Sequence, residues 1–168
     1  MTIIKDLKEA DLFKDLTAYQ IQRIAKHVEE QSFQPQDVIF SQGEPAQHLY
    51  ILLEGEVTLG VKARGEVDIT AYSVDRRGEA FGLSSVIKPF RNNVSAFCKK
   101  RARVLVLDGA RLRAQMRQNG KMGLAIMERV AEIYFNRLNS TRAMITNLFK
   151  MFKFQTGKTK LMETYYET

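Results

Sequence analysis

Leu49-Tyr50-Ile51-Leu52-Leu53-Glu54-Gly55-Glu56-Val57-Thr58-Leu59-Gly60-Val61 is the stretch whose period decides the fold. An unbroken apolar run enters Glu54-Gly55. Beyond it Val57, Leu59 and Val61 alternate with polar or small residues, as a half-buried strand requires. Ala63-Arg64-Gly65-Glu66 reads as a turn, after which Val67, Ile69 and Ala71 alternate again, so the two runs predict a hairpin. Upstream, Phe33, Val38, Ile39 and Phe40 lead to the breaker Gly43-Glu44-Pro45; downstream, Val104-Leu105-Val106-Leu107 reads as a short buried strand ended by Asp108-Gly109. Short strands spaced by glycine turns predict an antiparallel sandwich or jelly roll, not a parallel sheet.

Helices are expected on either side of these strands. Thr17-Ala18-Tyr19-Gln20 fits a capping box, and Ile21, Ile24, Ala25 and Val28 then recur at helical spacing over about three turns. Leu12, Phe13 and Leu16 before it read as a short helix or turn. After Gly109 the sequence turns helical and stays so. Met127, Ala131, Tyr134, Leu138, Thr141, Ile145, Leu148 and Phe152 are spaced 4, 3, 4, 3, 4, 3, 4, an a/d seam of the coiled-coil type. Ile126, Val130 and Ile133 make a second apolar stripe. The expectation is that this stripe lies against the domain while the seam meets a second copy of the chain.

Composition narrows the function classes. The chain has 168 residues, 45% of them hydrophobic and 27% charged, which fits one globular domain with an extension. A lone Cys98 excludes a disulfide framework and fits a reducing compartment. No apolar run approaches the roughly 18 residues of a membrane span, and Met1–Asp6 has no secretory pattern, so the expectation is a cytoplasmic protein with no membrane partner. Charge is uneven: residues 1–97 hold 11 Lys/Arg against 14 Asp/Glu, and residues 98–168 hold 15 against 5. Lys99, Lys100, Arg101 and Arg103, then Arg111, Arg113 and Arg117, cluster as a basic face that reads as solvated, with nucleic acid or an acidic protein as the alternative. His27, His48 and Cys98 have no ligand spacing, so no metal is expected, and a haem or metal sensor is a minor alternative. With no nucleophile elbow, carboxylate pair or P-loop, the chain does not read as an enzyme.

The order of elements and several motifs resemble the cyclic nucleotide-binding domain, in the layout of the effector domain of the catabolite activator/FNR group. Val38-Ile39-Phe40 with Gly43-Glu44, and Leu49-Tyr50-Ile51-Leu52 with Gly55 and Val57, are similar to that family's first strands and turn glycines. Gly78-Glu79-Ala80-Phe81-Gly82 resembles the turn that opens its phosphate-binding cassette. The resemblance covers roughly residues 10–150. It implies an α+β, mainly β fold: an antiparallel β-roll with helical lead-in over 1–120, a long dimerisation helix over 121–154, and a flexible tail over 155–168.

The resemblance also implies a ligand, cAMP or cGMP, and a way to hold it. The cassette helix begins just after a glycine turn and presents its N–H groups to the cyclic phosphate. An arginine pairs with that phosphate, and a glutamate directly after the Phe-Gly accepts from the ribose 2′-hydroxyl. This chain departs at both points. Leu83 follows Phe81-Gly82, and Asn92 falls on the arginine position, with Arg91 beside it. Each missing charge-assisted bond contributes about 1.5–3 kcal/mol, so losing both predicts binding weaker by roughly a hundred- to ten-thousandfold.

The candidate ligand-binding residues are Phe81, Gly82, Leu83, Ser84, Ser85, Arg91, Asn92, Asn93 and Ser95. The expected function is a dimeric regulatory module with weak or altered ligand specificity for a small polar or anionic ligand. The alternative is a true cAMP or cGMP receptor using Arg91 and backbone N–H groups. Few residues follow Phe152, too few for a helix-turn-helix, so sequence-specific DNA binding is not expected of this chain.

Overall fold

The computed structural model of the chain describes residues 3–62 and 68–155. Two short helices, α1 (Ile3–Glu9) and α2 (Ala18–Ala25), lead into strands β1 (Val28–Phe33), β2 (Val38–Phe40), β3 (His48–Lys62), β4 (Asp68–Val74), β5 (Ala80–Phe81) and β6 (Ser95–Asp108). Helices α3 (Gly109–Gln118) and α4 (Gly120–Gln155) follow. Strand order is β1-β6-β3-β4, with β2 also on β6 and β5 also on β3, and every pairing is antiparallel. This is the mainly β roll that the sequence implied.

The roll is bent by a bulge in β3. Inward-facing core residues of that strand are Tyr50 and Leu52 before Gly55 but Val57 and Leu59 after it. The parity flips because register slips between Leu52 and Val57, and an extra residue in one strand bends it and strengthens its twist. Gly55 sits at φ 98°, where a Cβ would lie 2.1 Å from the Arg101 carbonyl oxygen. Only glycine allows that approach. The other side of the first half of β3 is buried too, at Leu49, Ile51 and Leu53, which is why this stretch reads as an unbroken apolar run. Ile24, Leu107 and Leu112 line one small cavity, so α2 and α3 meet β6 there.

Three differences from the expected elements have physical reasons. The Thr17 capping box is present, with Gln20 N donating to Thr17 Oγ1 and Thr17 N to Gln20 Oε1, but the helix ends at Ala25. Val28 opens β1 instead of closing the helix, because it pairs with Leu107 across β6, and sheet pairing overrides its helical spacing. β6 starts at Ser95, not Val104: Lys99-Lys100-Arg101 masks the alternation, and the exposed Lys99 and Lys100 both pair with Glu56 at 2.7 and 2.9 Å. Helix α1, outside the expected elements, is tied down by Asp6, which accepts from Arg77 Nη2 at 2.5 Å. The hairpin pairs as expected up to Lys62↔Asp68, while its turn and nearly all of the expected tail, residues 156–168, lie outside the described residues.

The helical region breaks at Asn119, whose Oδ1 accepts from Met122 N at 3.1 Å and so restarts the chain as α4. The chain divides into compact units Met1–Ile133 and Tyr134–Thr168, the first of which includes the start of α4. Burial explains it: Met122, Ile126 and Val130 are core residues. In the same unit, Arg129 donates to Asp15 at 2.5 Å and to Glu132 at 2.6 Å. The second unit continues as α4 as far as Gln155, and there Leu138, Ile145, Leu148 and Phe152 are exposed.

Candidate functional site

Residues 75–82 form a turn held by backbone bonds on both sides. Gly78 N donates to Leu52 O at 2.8 Å, Leu52 N to Glu79 O at 2.9 Å, and Asp11 N to Gly78 O at 3.0 Å. The buried Glu79 carboxylate accepts from Tyr72 Oη at 2.6 Å. β5 then pairs with Tyr50 and Ile51. Gly82 takes φ 71°, and a Cβ there would meet the His48 carbonyl at 2.7 Å and the Tyr50 ring at 2.9 Å. The Phe81-Gly82 corner is therefore seated directly on β3.

Beyond Gly82 the expected cassette helix is a single 3-10 turn, Leu83–Ser85. Two serines, which prefer bonding the backbone locally, and Pro89, which disfavours helix before it, explain its brevity. Among the sequence-predicted residues, Phe81 and Leu83 are buried. Ser84 Oγ donates to Asn93 Oδ1 at 3.2 Å. Ser85 is buried with no hydrogen-bond partner for its hydroxyl, and Ser95 Oγ accepts from Gln42 N at 2.9 Å. Arg91 is exposed, and its Nη1 donates to Gly43 O at 2.8 Å. Asn92 is the opposite: it is buried, and its Nδ2 donates to Ser41 O at 3.3 Å.

Of the candidate set, Asn92 alone lines a cleft of about 350 Å³. Its walls are Ile39 and Phe40 of β2, Glu44 and Pro45 of the following loop, and Gln47, His48 and Tyr50 around the start of β3. The Tyr50 ring stacks on Phe81 at 4.9 Å between centroids and on Phe40 at 5.8 Å, which ties the cleft wall to the cassette turn. Burial pushes the Tyr50 hydroxyl above its ordinary pKa. Neither lysine nor arginine is among the lining residues, and the one carboxylate, Glu44, accepts from Ser41 N at 3.3 Å. Sequence reasoning missed Glu44, Gln47 and His48 as lining residues because the chain's fold-back, not any local pattern, brings them beside Asn92.

Arg113, which the sequence places on the basic face, turns inward. Its Nη1 donates to the Ser85 carbonyl, and its guanidinium lies 4.1 Å from the centre of the Phe90 ring. Arg103 pairs with Glu30 and Glu54. His27 Nδ1 lies 2.9 Å from Arg111 Nη1, and burial raises the Cys98 thiol pKa. Among the described residues no group of three or more His, Cys, Asp or Glu could hold a metal ion, and no helix is long and apolar enough to cross a membrane.

Known proteins share this fold. Residues 30–119 match the cyclic nucleotide-binding domain family. A crystal structure from Geobacter metallireducens, described as a cyclic nucleotide-binding protein, is 37% identical with a TM-score of 0.74, covering 82% of this chain and 99% of that one. A cyclic nucleotide-binding domain from Methylobacillus flagellatus shares the fold at 18% identity and a TM-score of 0.71, over 86% of this chain and 81% of its own. A Rhodopseudomonas palustris protein described as a potassium channel is 33% identical over 61% of this chain, and a Hypocrea atroviridis cAMP-dependent protein kinase regulatory subunit is 28% identical over 60%. The chain spans only 24% and 21% of the length of those two relatives. With the roll, the glycine-opened cassette turn and these matches in agreement, the chain belongs to the cyclic nucleotide-binding domain family.

Proposed function

We propose that this chain is a dimeric regulatory module whose roll holds a small ligand and whose grip on cyclic nucleotides is weak or altered. One observation carries the reading: Asn92, at the place of the phosphate-pairing arginine that the family resemblance implies, faces a cleft lined by neither lysine nor arginine. Leu83, in place of the ribose-binding carboxylate, is buried and offers no acceptor. A cyclic phosphate in this cleft would lack the charge-assisted bonds that normally offset its desolvation. The alternative, with Arg91 as the phosphate partner, fits less well because that guanidinium is exposed, bonded to Gly43 O and outside the cleft lining. The regulatory role is supported by the relatives, one of them a kinase regulatory subunit. The role is binding, not catalysis.

Dimerisation runs through Met127, Ala131, Tyr134, Leu138, Thr141, Ile145 and Leu148. Leu138, Ile145 and Leu148 are 50%, 45% and 49% exposed, a row of large apolar side chains that association would bury. Isothermal titration with cAMP and cGMP tests the ligand reading, and light scattering tests the dimer. The expected results are no saturation below about 100 micromolar nucleotide, given roughly 1.5–3 kcal/mol for each missing charged partner, and twice the 19.3 kDa chain mass. Tight cAMP binding lost in Arg91→Ala would establish the alternative, and a monomer mass would remove the dimer.

A further inference from the structure

The cleft's polarity says more than that a charged pair is missing. We infer that it takes an uncharged nucleoside in preference to any cyclic nucleotide; this rests on the reading that the roll holds a ligand beside its cassette. The argument starts from charge. A cyclic phosphate carries a full negative charge, whereas the ionisable side chains on the cleft wall are the Glu44 carboxylate, the His48 imidazole and the Tyr50 phenol. An anion placed there meets a like charge with no lysine or arginine to offset it, and unpaired charge in a partly desolvated site is strongly unfavourable. The nearby arginines lie outside the cleft lining, with Arg91 Nη1 donating to Gly43 O and Arg113 Nη1 to Ser85 O.

An uncharged nucleoside meets a different surface. Its hydroxyls are donors, and the Glu44 carboxylate has acceptor capacity beyond the single bond from Ser41 N. Its base edge presents mixed donors and acceptors, which suit the Gln47 and Asn92 amides. Its flat apolar faces suit the Phe40 and Tyr50 rings, held in place by stacking on each other at 5.8 Å. At about 350 Å³ the cleft falls within the size range of small-molecule sites. The residue that excludes the phosphate is thus the same carboxylate that receives the sugar.

The test is isothermal titration of the full chain with adenosine, guanosine, cytidine and uridine, each beside its 3′,5′-cyclic monophosphate. The expected result is that at least one nucleoside binds more tightly than its cyclic nucleotide by about tenfold or more, the worth of one charged contact. Glu44→Gln narrows that ratio from both sides, and Asn92→Arg reverses it, with circular dichroism showing both variants folded. If the cyclic nucleotides bind as tightly as the nucleosides or better, the inference fails while the ligand-binding reading stands. If none of the eight binds at millimolar concentration, that reading fails, and the inference with it.

Discussion

The two halves of the cassette differ in what a substitution there touches. From Gly78 to Gly82 the chain is fixed by its backbone, through three main-chain hydrogen bonds and a left-handed glycine pressed against His48 and Tyr50. From Arg91 to Asn93 the backbone is held as well, with Gly43 N donating to Asn92 O at 2.7 Å and Asn92 N to Glu44 O at 2.9 Å, but here two side chains face opposite ways: one guanidinium turns outward to Gly43 O, and one amide turns inward to the cleft. A backbone device tolerates little change without loss of the fold. A side chain at a cleft wall can change its chemistry and leave the scaffold intact. That separation lets a roll keep its shape while its ligand preference shifts.

The comparison breaks if both halves respond alike to substitution. Gly82→Val forces a β-branched residue into φ 71° with a Cβ 2.7 Å from the His48 carbonyl, and should lower unfolding free energy by about 3 kcal/mol or more. Asn92→Ala should cost only about 1 kcal/mol, one neutral hydrogen bond. Urea denaturation of the two variants measures the difference, and equal losses would show that the Arg91–Asn93 segment is scaffold as well.

Helix α4 sharpens the same contrast between shape and contact. Val130 is 2% exposed and Leu138 is 50% exposed, eight residues apart on one helix. Val130→Asp buries an unpaired carboxylate and should destabilise the fold by about 2–4 kcal/mol. Leu138→Asp should leave the melting temperature of the roll within a few degrees of wild type and abolish self-association, read by light scattering at matched concentrations. A Leu138→Asp variant that still dimerises would move the interface off the seam.

The smallest expected effect is on pH. The hydrogen bond from Arg129 holds the exposed Asp15 carboxyl below the usual carboxylate range. Its folded pKa is depressed, so its contribution to stability is complete above the unfolded value of about 4 and disappears as pH falls through the lower folded value. Melting temperatures of wild type and Asp15→Asn should therefore converge as pH is lowered from 6 to 3. Parallel curves would show that the contact contributes nothing to the anchoring of α4.

Much of the scaffold was legible in the sequence because its signals are local. Strand alternation from Val57 and the Thr17 capping box each depend on neighbours within a few residues. Helical spacing places Val28 on α2 because its partner, Leu107, is distant in the chain, and that spacing carries no record of cross-strand pairing. The site was legible only where a family position could be matched, at Leu83 and Asn92. Glu44, Gln47 and His48 line the cleft through loop geometry, and Arg113 reaches Ser85 and Phe90 from a helix whose charge suggested a solvated face.

The most direct test restores what the cassette lacks. In the double variant Leu83→Glu/Asn92→Arg, cAMP affinity measured by calorimetry should rise by about a hundredfold or more over wild type, the worth of two charge-assisted bonds after some loss to imperfect geometry. The account is contradicted if wild-type protein already binds cAMP as tightly as the folded double variant, because the grip would then come from groups other than these two positions.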